Sequence, residues 1–134
     1  MSESHEPFRT PIAPYLYYED AGAAMDWLVR VFGFEEIVRM PNPDGRVGHG
    51  ELRLGDGVVM LGEPGSGYEN PNARGGRATG GVHVYVDDVD APYEHAKAAG
   101  AKINTEPTDQ DYGDRRYDAE DLEGHDWFFA QPLG

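Results

Sequence analysis

Two kinds of hydrophobic spacing alternate along this chain, and the order in which they do so is repeated. Residues 12–18, IAPYLYY, are aromatic and aliphatic with prolines only near the start, and read as a strand. Asp20 is placed to cap a helix over 21–32, in which Ala24, Trp27, Leu28, Val31 and Phe32 recur at helical spacing before Gly33 ends it. Strands are expected over 34–40, 46–54 and 57–61, with Pro43-Asp44-Gly45 and Gly55-Asp56-Gly57 as the turns between them. After an aperiodic stretch at 63–80 the pattern returns, with a strand over 82–86, a helix over 89–99 closed by Gly100, and strands over 102–108, 115–122 and 125–130. The order is β-α-β-β-β twice. It predicts an α+β fold in one domain, made of two tandem βαβββ modules at 12–62 and 81–132. Their sheets should form an open barrel around a central cavity, with a helix outside each. The connector, EPGSGYENPNARGGRATG, is long for a compact domain, and such loops serve as lids or as mobile linkers.

Strand alternation sorts the side chains onto two faces. Val82, Val84 and Val86 belong to the helix-covered side, which sends His83 and Tyr85 to the other. Leu16 and Tyr18 share one face and leave Tyr15 and Tyr17 for the opposite one; Leu52 and Leu54 likewise oppose His49, Glu51 and Arg53. Near the C-terminus, in DLEGHDWFFAQ, Trp127 and Phe129 go with His125 under the helices, and Phe128 goes with Asp126 and Ala130 to the interior hollow. His125, just after a tight turn, is expected to be structural, and His5 and His95 to be solvent-exposed.

Composition narrows the function classes. The 134 residues include 25 Asp plus Glu against 11 Lys plus Arg, a formal charge of −14, which opposes binding to a phosphate backbone. No apolar run approaches the roughly 20 residues of a membrane span, and the N-terminal MSESHEPFRTP has no apolar signal segment, so a cytoplasmic protein is expected. The absence of cysteine fits that compartment and removes thiol catalysis and thiolate metal sites.

The stretches LYYEDAGAAMDWLVRVFGFE, GELRLGDGVVML, GVHVYVDDVDAPYEHAKAAGA and YGDRRYDAEDLEGHDWFF resemble the vicinal oxygen chelate superfamily, which contains glyoxalase I, bleomycin-resistance proteins and extradiol dioxygenases. The resemblance runs from about Ile12 to Gln131, and its most specific pieces are VDDVD followed by AAGA, and the DLEGH hairpin. It implies paired βαβββ modules curling around a cavity, commonly in a homodimer. Metal-using members carry His and carboxylate ligands on the outer strands of each module. In this chain those positions fall on Ala13, Gly81 and Phe128, and only Glu51 lands on or near a ligand position. The resemblance therefore implies no metal and no cofactor here.

The expected ligand-binding residues are Tyr15, Tyr17, His49, Glu51, His83, Tyr85 and Phe128, with Tyr112 and Arg116 reaching in from the charged turn at 109–116. An aromatic box with an acid in it suits a planar or cationic molecule, and cation–π contacts supply about 0.5–2 kcal/mol each. The leading expectation is a metal-independent small-molecule binding protein of the bleomycin-resistance type, with a small-molecule ligand and a second copy as its partners. The alternative is a metal-dependent glyoxalase-like lyase, isomerase or dioxygenase with His49, Glu51 and His83 as a relocated site. A third possibility is metal-free catalysis with Glu51 or His83 as general base. The plain readings are that Tyr15 and Tyr17 fill a closed cavity and that His83 is hydrogen-bonded to a tyrosine hydroxyl.

Overall fold

The computed structural model describes residues 10–76 and 78–134. His5 and the beginning of the polar N-terminal stretch lie outside the described residues. The first module consists of β1 (Tyr15–Tyr17), α1 (Ala21–Phe32), β2 (Glu35–Pro41), β3 (Val47–Leu54) and β4 (Gly57–Gly62). The second consists of β5 (Gly81–Tyr85), α2 (Asp90–Ala98), β6 (Lys102–Asp109), β7 (Asp114–Glu120) and β8 (Asp126–Pro132). Each sheet has four strands, ordered β1-β4-β3-β2 and β5-β8-β7-β6, so the two modules repeat one topology. Among the described residues the two sheets share no ladder, so they do not close into one continuous barrel. The fold is the two-module α+β arrangement that the sequence predicts.

The local causes are legible. The Asp20 carboxylate accepts from the backbone N–H of Ala23, and Gly33 takes the left-handed conformation (φ 81°) that closes α1. The β1 strand is shorter than the expected span of 12–18. Pro11 and Pro14 have no N–H to give, and Pro14 enters the ladder only through its carbonyl, which accepts from Met60. In α2 no side chain caps the start, where Val89 is the N-cap residue.

One apolar core serves both modules. Trp127 and Phe129 of β8 face inward as expected; Trp127 packs against Phe32 (ring centroids 5.4 Å apart) and Phe34 (5.5 Å), and Phe129 stacks on Tyr117 (5.1 Å). His95 is exposed, and its Nε2–H donates to the Arg30 carbonyl, joining α2 to the end of α1.

The DLEGH hairpin fastens module two to module one. Both Asp121 oxygens are engaged: Oδ2 accepts from the Tyr18 hydroxyl (2.6 Å) and from the Trp127 indole (3.0 Å), and Oδ1 from the backbone N–H groups of Glu123 and His125. Burial first, and then Asp121, pushes the Tyr18 phenol well above its usual range, so Tyr18 remains a donor in this bond. The Glu123 carboxylate accepts from the N–H groups of Glu19 (2.7 Å) and Asp20 (2.9 Å), just ahead of α1. His125 donates from Nε2 to the Tyr17 carbonyl, which makes it the structural residue expected. The connector is tied to the same hairpin, because Asn70 donates to Glu123 and Asn72 to the carbonyls of Glu123 and Leu122.

Candidate functional site

Strand alternation carries Tyr15, Tyr17, His49 and Glu51 to the face of the first sheet away from α1. The structure brings three of them into one chain of hydrogen bonds. The Tyr15 hydroxyl lies 3.0 Å from His49 Nδ1, and His49 Nε2 lies 2.9 Å from a Glu51 carboxylate oxygen. Burial, followed by Tyr17 and Glu51, raises the Tyr15 phenol above its ordinary range. Tyr17 meets Tyr15 edge-on at 6.0 Å and meets Tyr68 in the same manner at 6.0 Å, and the Tyr68 hydroxyl donates to the Tyr17 carbonyl. Tyr15, Tyr17, Tyr68, Arg74 and His125 border a hollow of about 580 Å³ whose outer wall is the connector. Tyr15 and Tyr17 are 46% and 51% exposed, so they do not fill a closed cavity. Sequence reasoning did not single out Tyr68; a lone aromatic residue inside a Gly- and Asn-rich loop was the available signal.

The second sheet presents His83, Tyr85, Arg116 and Phe128 on its corresponding face. His83 pairs across the ladder with Phe128 and packs edge-on against Tyr85 at 4.8 Å. The expected bond from a tyrosine hydroxyl to His83 is not made by Tyr85, whose hydroxyl donates to the buried Asp114 at 3.0 Å, a charged and therefore stronger acceptor. The Arg116 guanidinium sits 4.4 Å from the centre of the Phe128 ring and is held by both oxygens of Asp118 (2.7 and 3.3 Å). Its pKa is raised chiefly by that bond, with Tyr112 contributing, so Tyr112, Arg116 and Phe128 do come together. Tyr112 itself is largely exposed at its turn. Burial and the neighbouring Glu120, Asp118 and Asp121 raise the Asp126 carboxyl.

The residues at the implied metal positions do not fit a metal. Ala13 precedes β1 and has no donor, and Gly81 and Phe128 offer none either. A Cβ at Gly81 would fall 2.6 Å from the Phe128 ring and 2.9 Å from the Asp126 carbonyl oxygen. The ring thus lies over the position from which a β5 ligand would project. Glu51 is bonded to His49 and stands across the ladder from Met60. Among the described residues no three His, Asp or Glu side chains are grouped as a metal site. The relocated triad of His49, Glu51 and His83 is therefore not grouped in this structure, where Glu51 meets His49 alone of the other two. Gly81→Ala is expected to destabilise the protein by about 1–3 kcal/mol through overpacking. Adding Phe128→Leu should restore only part of this in urea titrations, because the Asp126 carbonyl contact remains.

A larger hollow of about 700 Å³ lies between the β3–β4 turn and β5. Of the expected site residues it touches only His83 and Tyr85, and its walls are mostly aliphatic, including Ile12, Leu54, Val58 and Val82. No helix among the described residues is long and apolar enough to cross a membrane.

Comparison with known proteins agrees with this architecture. An uncharacterized protein of Mycobacterium bovis is 36% identical over 127 residues, which is 91% of this chain and 83% of that protein. The crystal structure of TioX from Micromonospora sp. ML1 is 40% identical in sequence, with a TM-score of 0.75 over 91% of this chain and 95% of that one. TnmS3, an antibiotic binding protein from Streptomyces sp. CB03234, has the same fold at 20% identity, with a TM-score of 0.66 over 92% of this chain and 99% of that one. Residues 11–129, nearly the whole two-module arrangement, match one family, and the chain belongs to the Glyoxalase/Bleomycin resistance protein/Dioxygenase superfamily.

Proposed function

We propose that this chain is a metal-independent small-molecule binding protein of the bleomycin-resistance type. Its residues 1–134 act as one domain, and a homodimer holds a planar aromatic guest of the antibiotic kind against the outward faces of its sheets. The observation that carries this reading is the Phe128 ring seated over Gly81. There, two positions that would supply metal ligands have together become one aromatic wall. The exposed Tyr15 and Tyr17 beside Tyr68 add ring surface, and their hollow is within the range of about 300–1,000 Å³ usual for small-molecule sites. The fold shared with an antibiotic binding protein is consistent with such a use. The net charge of −14 favours the approach of cations, although one face of Phe128 is already taken by Arg116.

Calorimetric titration of the purified protein with the planar cation 9-aminoacridine, in the presence of EDTA, tests the proposal. Binding should be indifferent to EDTA, and Phe128→Ala or Tyr17→Ala should weaken it by roughly 3–10-fold, the worth of one aromatic contact. A stoichiometric divalent ion in the purified protein, removed by EDTA together with a lyase, isomerase or dioxygenase activity, would replace this reading with the metal-dependent one.

A further inference from the structure

The polarity of the Tyr15 hydroxyl is decided by the two residues behind it. Tyr15 crosses β4 above Gly62, where a Cβ would lie 2.6 Å from the hydroxyl oxygen and 2.5 Å from the Gly48 carbonyl oxygen. Glycine there lets the phenol reach β3 and His49. An ionised carboxylate only accepts hydrogen bonds, so the His49 nitrogen facing Glu51, Nε2, carries the ring proton. Neutral imidazole then has a bare lone pair at Nδ1, and Nδ1 can only accept. Beside a neutral His49, the Tyr15 hydroxyl, 3.0 Å away, turns its hydrogen toward Nδ1. What Tyr15 has left for any other partner is the lone pair of its oxygen. The raised pKa of this phenol keeps that hydrogen in place.

We propose that the Glu51–His49–Tyr15 chain makes the outward face of β1 and β4, at the edge of the hollow that the connector walls, a subsite for a planar aromatic guest that bears a hydrogen-bond donor. The donor is a phenolic or enolic O–H or a ring N–H, and the Tyr15 oxygen receives it. Tyr17 and Tyr68, set edge to face with planes 80° apart, supply the walls for the ring that carries the donor. His49 and Glu51 are positioning residues, since they act on the guest only through Tyr15. This inference rests on the reading of the chain as a binder of planar aromatics, and it adds what that guest must present.

The test uses two probes with the same ring system that differ by one O-methyl group, 2-naphthol and 2-methoxynaphthalene, titrated into the full chain at about pH 8, where imidazole is neutral and carboxylates are ionised. Far-UV circular dichroism of each variant verifies folding. In the wild-type protein 2-naphthol should bind about tenfold more tightly than its methyl ether, the worth of one good hydrogen bond. In Tyr15→Phe the ratio of the two affinities should fall to about one. In His49→Phe and Glu51→Gln it should shrink, because the hydroxyl is no longer turned inward, and a merely structural role would not alter this ratio. Equal affinities in the wild type, or a preference that survives Tyr15→Phe, overturn the inference and leave the binding reading standing. Failure of both probes to bind the folded wild-type protein overturns the inference together with the reading beneath it.

Discussion

Asp121→Ala is expected to cost about 3–5 kcal/mol of folding stability, because it strands several buried donors at once. Tyr18 and Trp127 are both 0% exposed, and both direct their polar hydrogen at Asp121 Oδ2. Each buried donor left without a partner costs roughly 1–3 kcal/mol, and the hairpin N–H groups of Glu123 and His125 lose their acceptor as well. Against a typical total of about 5–15 kcal/mol this is a large share. Urea titration should show a lower midpoint with an unchanged slope, since the surface exposed on unfolding hardly differs. Asp121→Asn should cost less, because its amide retains one acceptor oxygen. An unchanged midpoint in Asp121→Ala would show that the hairpin is not what fastens the modules. Tyr18 directly follows Tyr17, so the same variant should also loosen the tyrosine wall that the proposed guest uses.

Trp127→Ala should rank next, with a loss of about 3–5 kcal/mol, the usual cost of truncating a fully buried large aromatic residue. The indole touches Phe32 and Phe34 from module one and Phe129 on its own strand. Its removal opens a cavity at the point where α1 meets the second sheet. Trp127→Phe keeps most of the packing and drops the N–H, so about 1 kcal/mol should separate it from the wild type. The two positions share a hydrogen bond, so the double variant Asp121→Ala/Trp127→Ala should lose less than the sum of its parts, by about 0.5–3 kcal/mol. Strict additivity in urea titrations of the four proteins would mean that the two residues act independently.

These residues also show how much of the molecule its sequence discloses. The two-module order, the Asp20 and Gly33 helix ends and the inward turn of Trp127 and Phe129 rest on local rules of spacing and capping, which neighbouring residues in the chain settle by themselves. The outward set of Tyr15, Tyr17, His49, Glu51, His83, Tyr85 and Phe128 follows from strand alternation. What alternation cannot supply is which outward residues meet. The link from Tyr15 to His49 spans 34 positions, and it depends on a close approach over Gly62 that no spacing rule announces. The seating of Arg116 on Phe128 depends on the register of β7 against β8, and the wall made by Tyr68 depends on a connector without periodicity. The roles of Asp121 and Glu123 escaped for a related reason: in a charged, polar hairpin sequence, carboxylates read as solvated until the partner module covers them.

The ring lying over Gly81 constrains the routes by which this protein can change. A histidine introduced first at position 81 meets the ring and the Asp126 carbonyl, and loses stability before it has gained any function. A glutamate introduced first at position 128 arrives beside a guanidinium already 4.4 Å from the place it would enter, and is drawn into an ion pair. Acquisition of an inorganic centre therefore takes several steps: Phe128 and Arg116 must be exchanged, and the Asp126 carbonyl must move aside, before Gly81 can acquire a side chain. A lineage that takes those steps one at a time passes through proteins with neither the old wall nor the new ligands, which makes the present architecture hard to leave by single substitutions.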